Sequence, residues 1–145
     1  DEKEQINIWG IREDVAVLAE ERKFDQQFDI SIPVPLIGDV IAKISNELKE
    51  CEGVKTIFPF GHVADGNIHF IIGKDSESEE LKSQINDIIY NNTELVNGSI
   101  SAEHGIGLDK KRYLIKSRSE DEISLMRSIK KTIDPKNILN PGRVF

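Results

Sequence analysis

All three histidines of this 145-residue chain fall in two glycine-rich phrases, FGHVADGNIHF at Phe60–Phe70 and SAEHGIG at Ser101–Gly107. The first phrase sets His62 and His69 on either side of Asp65-Gly66. An Asp-Gly pair between strand-forming residues is the signature of a two-residue type I′ hairpin turn. Centred there, the turn puts Val63 opposite Ile68 and His62 opposite His69. Directly opposed residues share one face of a sheet, with Cβ atoms roughly 4.5–5.5 Å apart. Two imidazoles held this way can converge on one ion, and a carboxylate would complete the site. Glu103, with His104 beside it, is the candidate. Two histidines and a carboxylate suit a catalytic zinc with open positions or a non-haem iron facial triad. The competing reading is a surface histidine pair without a ligand, the glycines Gly61, Gly66, Gly105 and Gly107 then serving turns only.

The elements that must position these groups follow from periodicity. Residues from Lys3 to Lys23 are helix-like, with Trp9, Val15, Leu18 and Ala19 at helical spacings. Phe28, Ile30 and Ile32 alternate with polar residues and predict a half-buried strand that Pro33 ends. Pro35 suits the first turn of a helix in which Leu36, Val40, Ile44 and Leu48 form a stripe and Gly53 closes the segment. Val54–Val63 and Asn67–Ile72 read as strands. Ser76 and Glu79 form a capping-box pattern before a helix carrying Leu81, Ile85 and Ile88. Ser99–Ala102 reads as a short strand. Ser119 and Glu122 cap a last helix with Ile123, Met126 and Ile129, which Asp134-Pro135 stops.

From Phe28 to Ala102 the order is β-α-β-β-α-β. The expected fold is α+β, a ferredoxin-like antiparallel sheet with helices on one face and flanking N- and C-terminal helices, in a single domain over residues 1–145. In the simple strand order of that arrangement, the hairpin's first strand and the last strand lie at opposite edges. They are then about 14 Å apart, at roughly 4.8 Å per strand step. Glu103 meets the histidines only if its loop folds across the sheet, or if the sheet departs from that order.

Composition narrows the classes. Lys plus Arg is 19 and Asp plus Glu is 26, a net charge of −7, which argues against a nucleic-acid surface. No apolar run of about 18 residues exists to span a membrane. The single cysteine, Cys51, cannot form an internal disulfide, and no secretory signal is visible, so the expected location is cytoplasmic. The chain opens on Asp1 in a charged segment and reads as a fragment of a longer protein.

The phrases FGHVADGNIHF and GSISAEHGIGLDKKRYL, followed by DPKNILNPGRVF, resemble the C-terminal domain of FAD-linked oxidases of the vanillyl-alcohol oxidase superfamily. The similarity is greatest to the D-2-hydroxy-acid dehydrogenase group: D-lactate dehydrogenase, the glycolate oxidase flavin subunit and D-2-hydroxyglutarate dehydrogenase. IWGIRE and FDISIPVPLI fit the same pattern, so the resemblance covers nearly the whole chain. It implies a cap domain whose partner is an N-terminal FAD-binding domain of the same protein, absent from this sequence. It further implies oxidation of a small D-2-hydroxy acid to the 2-oxo acid, with hydride transfer to the flavin. By the same resemblance His62, His69 and Glu103 are ligands of a divalent metal, usually zinc, and His104 is the general base. Arg12 corresponds to an arginine that binds the substrate carboxylate, and Asn140 lies in a stretch that approaches the flavin. A homodimer through the sheet face left open is a further expectation.

The chain departs from the D-2-hydroxyglutarate dehydrogenase pattern. Ile71 stands where those enzymes have Asn, and Ala16 and Gln27 stand where they have Thr and Lys, with Lys23 as a stand-in if the alignment slips. The lysine that would neutralise a distal carboxylate is missing, which favours a lactate- or glycolate-like substrate. Two further readings compete: a free-standing ferredoxin-like module that binds a metal or ligand without catalysis, and a metal-dependent hydrolase or oxygenase using the same three ligands.

Overall fold

The computed structural model describes residues 1–13 and 25–145, the side chains of Arg12 and Glu13 excepted. Helix α1 spans Glu2–Glu13; the expected continuation of this helix, with Val15, Leu18 and Ala19, lies outside the described residues. Strand β1 (Asp25–Ser31) leads through a 3-10 turn at Val34–Leu36 into helix α2 (Ile37–Lys49). Strands β2 (Val54–His62) and β3 (Asn67–Lys74) form a hairpin, followed by helix α3 (Glu79–Leu95) and helix α4 (Glu120–Ile133).

The three strands make an antiparallel sheet in the order β1-β3-β2, so the fold is α+β as expected. Phe28, Ile30, Ile68, Phe70 and Ile72 point to one face, where α2 gives Val40, Ile44 and Leu48 and α3 gives Leu81, Ile85 and Ile89 to a single core. Glu47 of α2 accepts a 2.7 Å hydrogen bond from the Asn92 amide of α3, which ties the two helices together beside that core. The opposite sheet face carries Asp29 from β1, Asn67, His69 and Ile71 from β3, and Phe58, Phe60 and His62 from β2.

Three local expectations are corrected. The expected strand at Ser99–Ala102 shrinks to one antiparallel bridge, Ser31 with Ser99, through paired 2.9 Å backbone bonds. The next amides do not continue the ladder because a side chain of β1 takes them. Secondly, α3 is capped by Ser78, whose hydroxyl accepts the Leu81 amide at 3.3 Å, and not by Ser76.

The third correction is the hairpin. The turn is a 3-10 segment, Val63–Asp65, ending on Gly66 in the left-handed region at φ +73°. The closing pair is His62 with Asn67, and His69 faces Phe60. The reason is long-range: the Gly66 carbonyl accepts the Ile32 amide at 2.8 Å, so the turn docks on the end of β1. A Cβ at Gly66 would lie 2.4 Å from the Ile32 carbonyl oxygen. His62 and His69 are therefore diagonal neighbours on one face, not directly opposed.

Candidate metal and catalytic site

Diagonal placement still brings the two rings together. Their centroids are 6.2 Å apart and nearly perpendicular, at 84°. Between them reaches Glu103, whose Oε1 is 3.4 Å from His62 Nδ1 and whose Oε2 is 3.8 Å from His69 Nε2. Donor atoms about 2.0–2.2 Å from a zinc ion in tetrahedral geometry lie about 3.4 Å from one another. The His62, His69 and Glu103 donors all fall within 4.8 Å of one another, so the set fits a divalent cation in both chemistry and spacing. His69 is largely buried, at 14% exposure, whereas His62 and Glu103 are open at 43% and 51%, which leaves room for a substrate.

His104 lies beside this set. Its ring stacks on that of His69 at 5.5 Å and 25°, and its side chain is exposed. Phe60 packs on His69 from the β2 side, with ring centroids 5.3 Å apart. A cleft of about 200 Å³ opens here, lined among others by Gln27, Phe60, His69, Ile71 and His104.

The loop that carries Glu103 and His104 does fold across the sheet, and a residue missed in the sequence makes it do so. Asp29, fully buried at the centre of β1, accepts on Oδ2 the amides of Ala102, Glu103 and His104 at 3.0, 2.9 and 2.9 Å. The Ser101 hydroxyl adds a bond of 3.2 Å, and the Lys110 ammonium lies 3.6 Å away. Burial pushes the Asp29 carboxyl up, but the His104 and Glu103 amides and the Lys110 and His104 charges outweigh it and hold it below its ordinary value. Burial in turn pulls the Lys110 ammonium below its ordinary value, against the opposing pull of Asp29. Asp29 alternates with Phe28 and Ile30, so periodicity alone reads it as a solvated strand residue.

A histidine pair, a glutamate brought over the sheet, and a third histidine stacked alongside form one cluster on the sheet face away from α2 and α3. The family described as FAD linked oxidases, C-terminal domain, matches this chain over residues 1–144. The chain belongs to that family. Within FAD-linked oxidases it is 38% identical over 138 residues to the mitochondrial D-2-hydroxyglutarate dehydrogenase of Danio rerio, covering 95% of this chain and 26% of that protein. It is 34% identical over 143 residues to the D-2-hydroxyglutarate dehydrogenase of Xanthomonas citri pv. viticola, covering 95% of this chain and 30% of that protein. It is 31% identical over 153 residues to the mitochondrial D-lactate dehydrogenase [cytochrome] 1 of Saccharomyces cerevisiae, covering all of this chain and 26% of that protein. The chain thus spans less than a third of the length of these relatives.

Two further sequence-predicted residues of this FAD-linked oxidase domain are not members of the His62, His69 and Glu103 set. Arg12 has its backbone in α1, and its side chain lies outside the described residues. Asn140 is exposed in the C-terminal turn, at φ +46°. That turn is anchored by Asp134, which accepts the Ile138 and Leu139 amides at 3.0 and 2.9 Å and pairs with Lys130. The tail then returns to the segment after His104, where the Val144 amide meets the Gly107 carbonyl at 2.9 Å. No helix among the described residues is long and apolar enough to cross a membrane.

Proposed function

We propose that this domain is the cap and substrate-binding part of an FAD-dependent dehydrogenase that oxidises a small D-2-hydroxy acid, lactate- or glycolate-like, to the 2-oxo acid. The observation that carries the reading is the convergence of His62 Nδ1, His69 Nε2 and Glu103 beside the stacked, exposed ring of His104. His62, His69 and Glu103 would hold a divalent cation, zinc by preference for this donor set. Such an ion would supply a Lewis acid that lowers the pKa of a hydroxyl beside it, and a flavin held by the rest of the protein would supply the hydride acceptor.

This domain's own residues do the rest. His104 accepts the proton of the 2-hydroxyl, the task of a general base within reach of the substrate. Its Nδ1 lies 4.0 Å from Asp29 Oδ2, with Nε2 on the other side of the ring. Arg12 is assigned to the substrate carboxylate, which a guanidinium can bind in bidentate fashion. Asn140 is assigned to the flavin side of the tail. Phe60 and Ile71 line the cleft beside His69 with apolar surface.

The substrate preference rests on that cleft. Ile71 is buried next to Gln27 across β1 and β3, and both line this small cleft, whose lining among the described residues holds no lysine or arginine; Lys82, Lys110 and Arg112 line the adjoining cleft that shares Gln27 and His104. The lining of the small cleft supports a monocarboxylate, although the names of several relatives specify hydroxyglutarate. A panel of D-2-hydroxy acids on the full-length protein tests the reading. Flavin reduction by D-lactate or glycolate in preference to D-2-hydroxyglutarate is expected. No flavin reduction by any member would overturn it.

The partner proposed for the open sheet face is the FAD-binding domain of the same protein, in preference to a homodimer. Solution scattering of the full-length protein distinguishes the two. A cytoplasmic location is likewise a proposal for the parent protein, to be tested by cell fractionation, since the zebrafish and yeast relatives carry mitochondrial names.

A further inference from the structure

The two oxygens of Asp29 have different surroundings. Oδ2 is saturated by three consecutive backbone amides and a hydroxyl. Oδ1 is buried and, among the described residues, has no hydrogen-bond partner. Such an orphaned acceptor is costly unless a donor faces it. The group facing it is His69 Nδ1, at 3.9 Å, on the residue directly paired with Asp29 across β1 and β3. An imidazole that turns its Nδ1–H toward a carboxylate presents the lone pair of Nε2 on the far side. In His69 that far side is where Glu103 Oε2 lies.

We propose that Asp29 is the positioning residue of the site, one oxygen fixing the backbone of Glu103 and His104 and the other orienting His69 so that Nε2 faces the cation. The proposal rests on the reading of His62, His69 and Glu103 as metal ligands. It explains how a ligand from beyond the sheet edge is held in register with two ligands from the hairpin. The loop is ordered when the chain folds, not when the ion binds, so binding does not have to gather it. Lys110 neutralises the buried carboxylate and spans from the Asp29 carbonyl at 3.3 Å to the Ser101 hydroxyl at 3.0 Å, closing the network on its inner side.

The test is Asp29→Asn, which keeps the shape and removes the charge. Two quantities are read on the folded variant: affinity for Co²⁺ by absorption titration, and hydrogen exchange at the amides of residues 102–104. A 10–100-fold loss of affinity, as is typical when an outer-shell carboxylate is altered, with faster exchange at those amides, is the expected result. Ser128→Ala, an exposed position of α4 outside the network, should stay within about twofold of wild type. Affinity within twofold of wild type in Asp29→Asn, or an equal loss in Ser128→Ala, would overturn the proposal. If the wild type itself binds no Co²⁺, the metal reading fails. The positioning role then stands if the 102–104 amides are protected in wild type and released in Asp29→Asn, and falls if they exchange freely in both. If Asp29→Asn does not fold, exchange in the metal-free wild type decides. Protected amides at 102–104 support preorganisation, and exchange at the rate of open loops overturns it.

Discussion

Glu103 Oε1 lies 3.4 Å from His62 Nδ1, although His62 ends one edge strand of the sheet and Glu103 follows a bridge at the other edge. Two strand steps separate those edges. The contact exists because the 101–105 segment turns inward over Asp29 instead of extending the ladder. The bend is what brings Glu103 to the histidines, and its consequences can be tested one residue at a time.

His62→Ala and His69→Ala should each abolish stoichiometric binding of a divalent metal, because two remaining donors hold such an ion poorly. Glu103→Ala should do the same. Glu103→Asp, which draws the oxygen back by one methylene, should retain part of it. Metal content after dialysis, measured by mass spectrometry, reads all four. Full metal retention in His69→Ala would remove the residue that the ligand set and Asp29 have in common.

His104→Ala should differ in kind. Metal content should stay at the wild-type level, while turnover in the full-length protein falls by roughly 10²–10⁴-fold, the range typical of a lost general base. Loss of the metal in His104→Ala, with retention in Glu103→Ala, would exchange the two roles.

Gly61 sits at φ +156° where β2 passes β3, and a Cβ there would lie 2.2 Å from the Asn67 carbonyl oxygen. Gly61→Ala should therefore destabilise the chain by about 1–3 kcal/mol, the usual cost of forced backbone strain. It should also weaken metal binding by shifting His62. Urea denaturation checks the first effect and metal titration the second. An alanine tolerated without change in either would mean that the strands are free to separate there.

Much of this architecture is legible locally. Val40, Ile44 and Leu48 recur at the helical period and are buried on α2. Ser119 and Glu122 make the reciprocal capping box expected of their spacing. Two neighbouring serines, by contrast, both precede acidic residues, and only the docked position of α3 selects Ser78 over Ser76. The register expected from the local preference of Asp-Gly is overridden by the bond from Ile32. The histidines, Glu103 and His104 stand out by type and by resemblance. Asp29 does not, because its role depends on amides more than 70 positions away that only the folded chain brings to it.

The C-terminal turn should loosen in acid. The Lys130 hydrogen bond, helped by the Leu139 and Ile138 amides against a burial effect of opposite sign, holds the Asp134 carboxyl down at about 2, against an ordinary 3.8. A depressed folded pKa stabilises the native state above the unfolded value, and that contribution is lost as the carboxylate takes up a proton. Protection of the Ile138 and Leu139 amides should thus be full above about pH 4 and disappear as the pH falls toward 2. Asp134→Asn should show weak protection at every pH. Protection that persists unchanged to pH 2 would mean that the carboxylate does not hold the turn.

On the proposed reading, His62, His69 and Glu103 hold a metal that the reaction needs. The most direct test of that reading is turnover of the full-length protein before and after removal of metal by a chelator, with residual metal quantified and zinc then restored. The expected result is near-complete loss of D-2-hydroxy-acid oxidation, recovered by one equivalent of zinc per chain, with the flavin still bound throughout. Full-rate turnover by protein demonstrated to be metal-free would contradict the account and leave His62 and His69 as a structural pair.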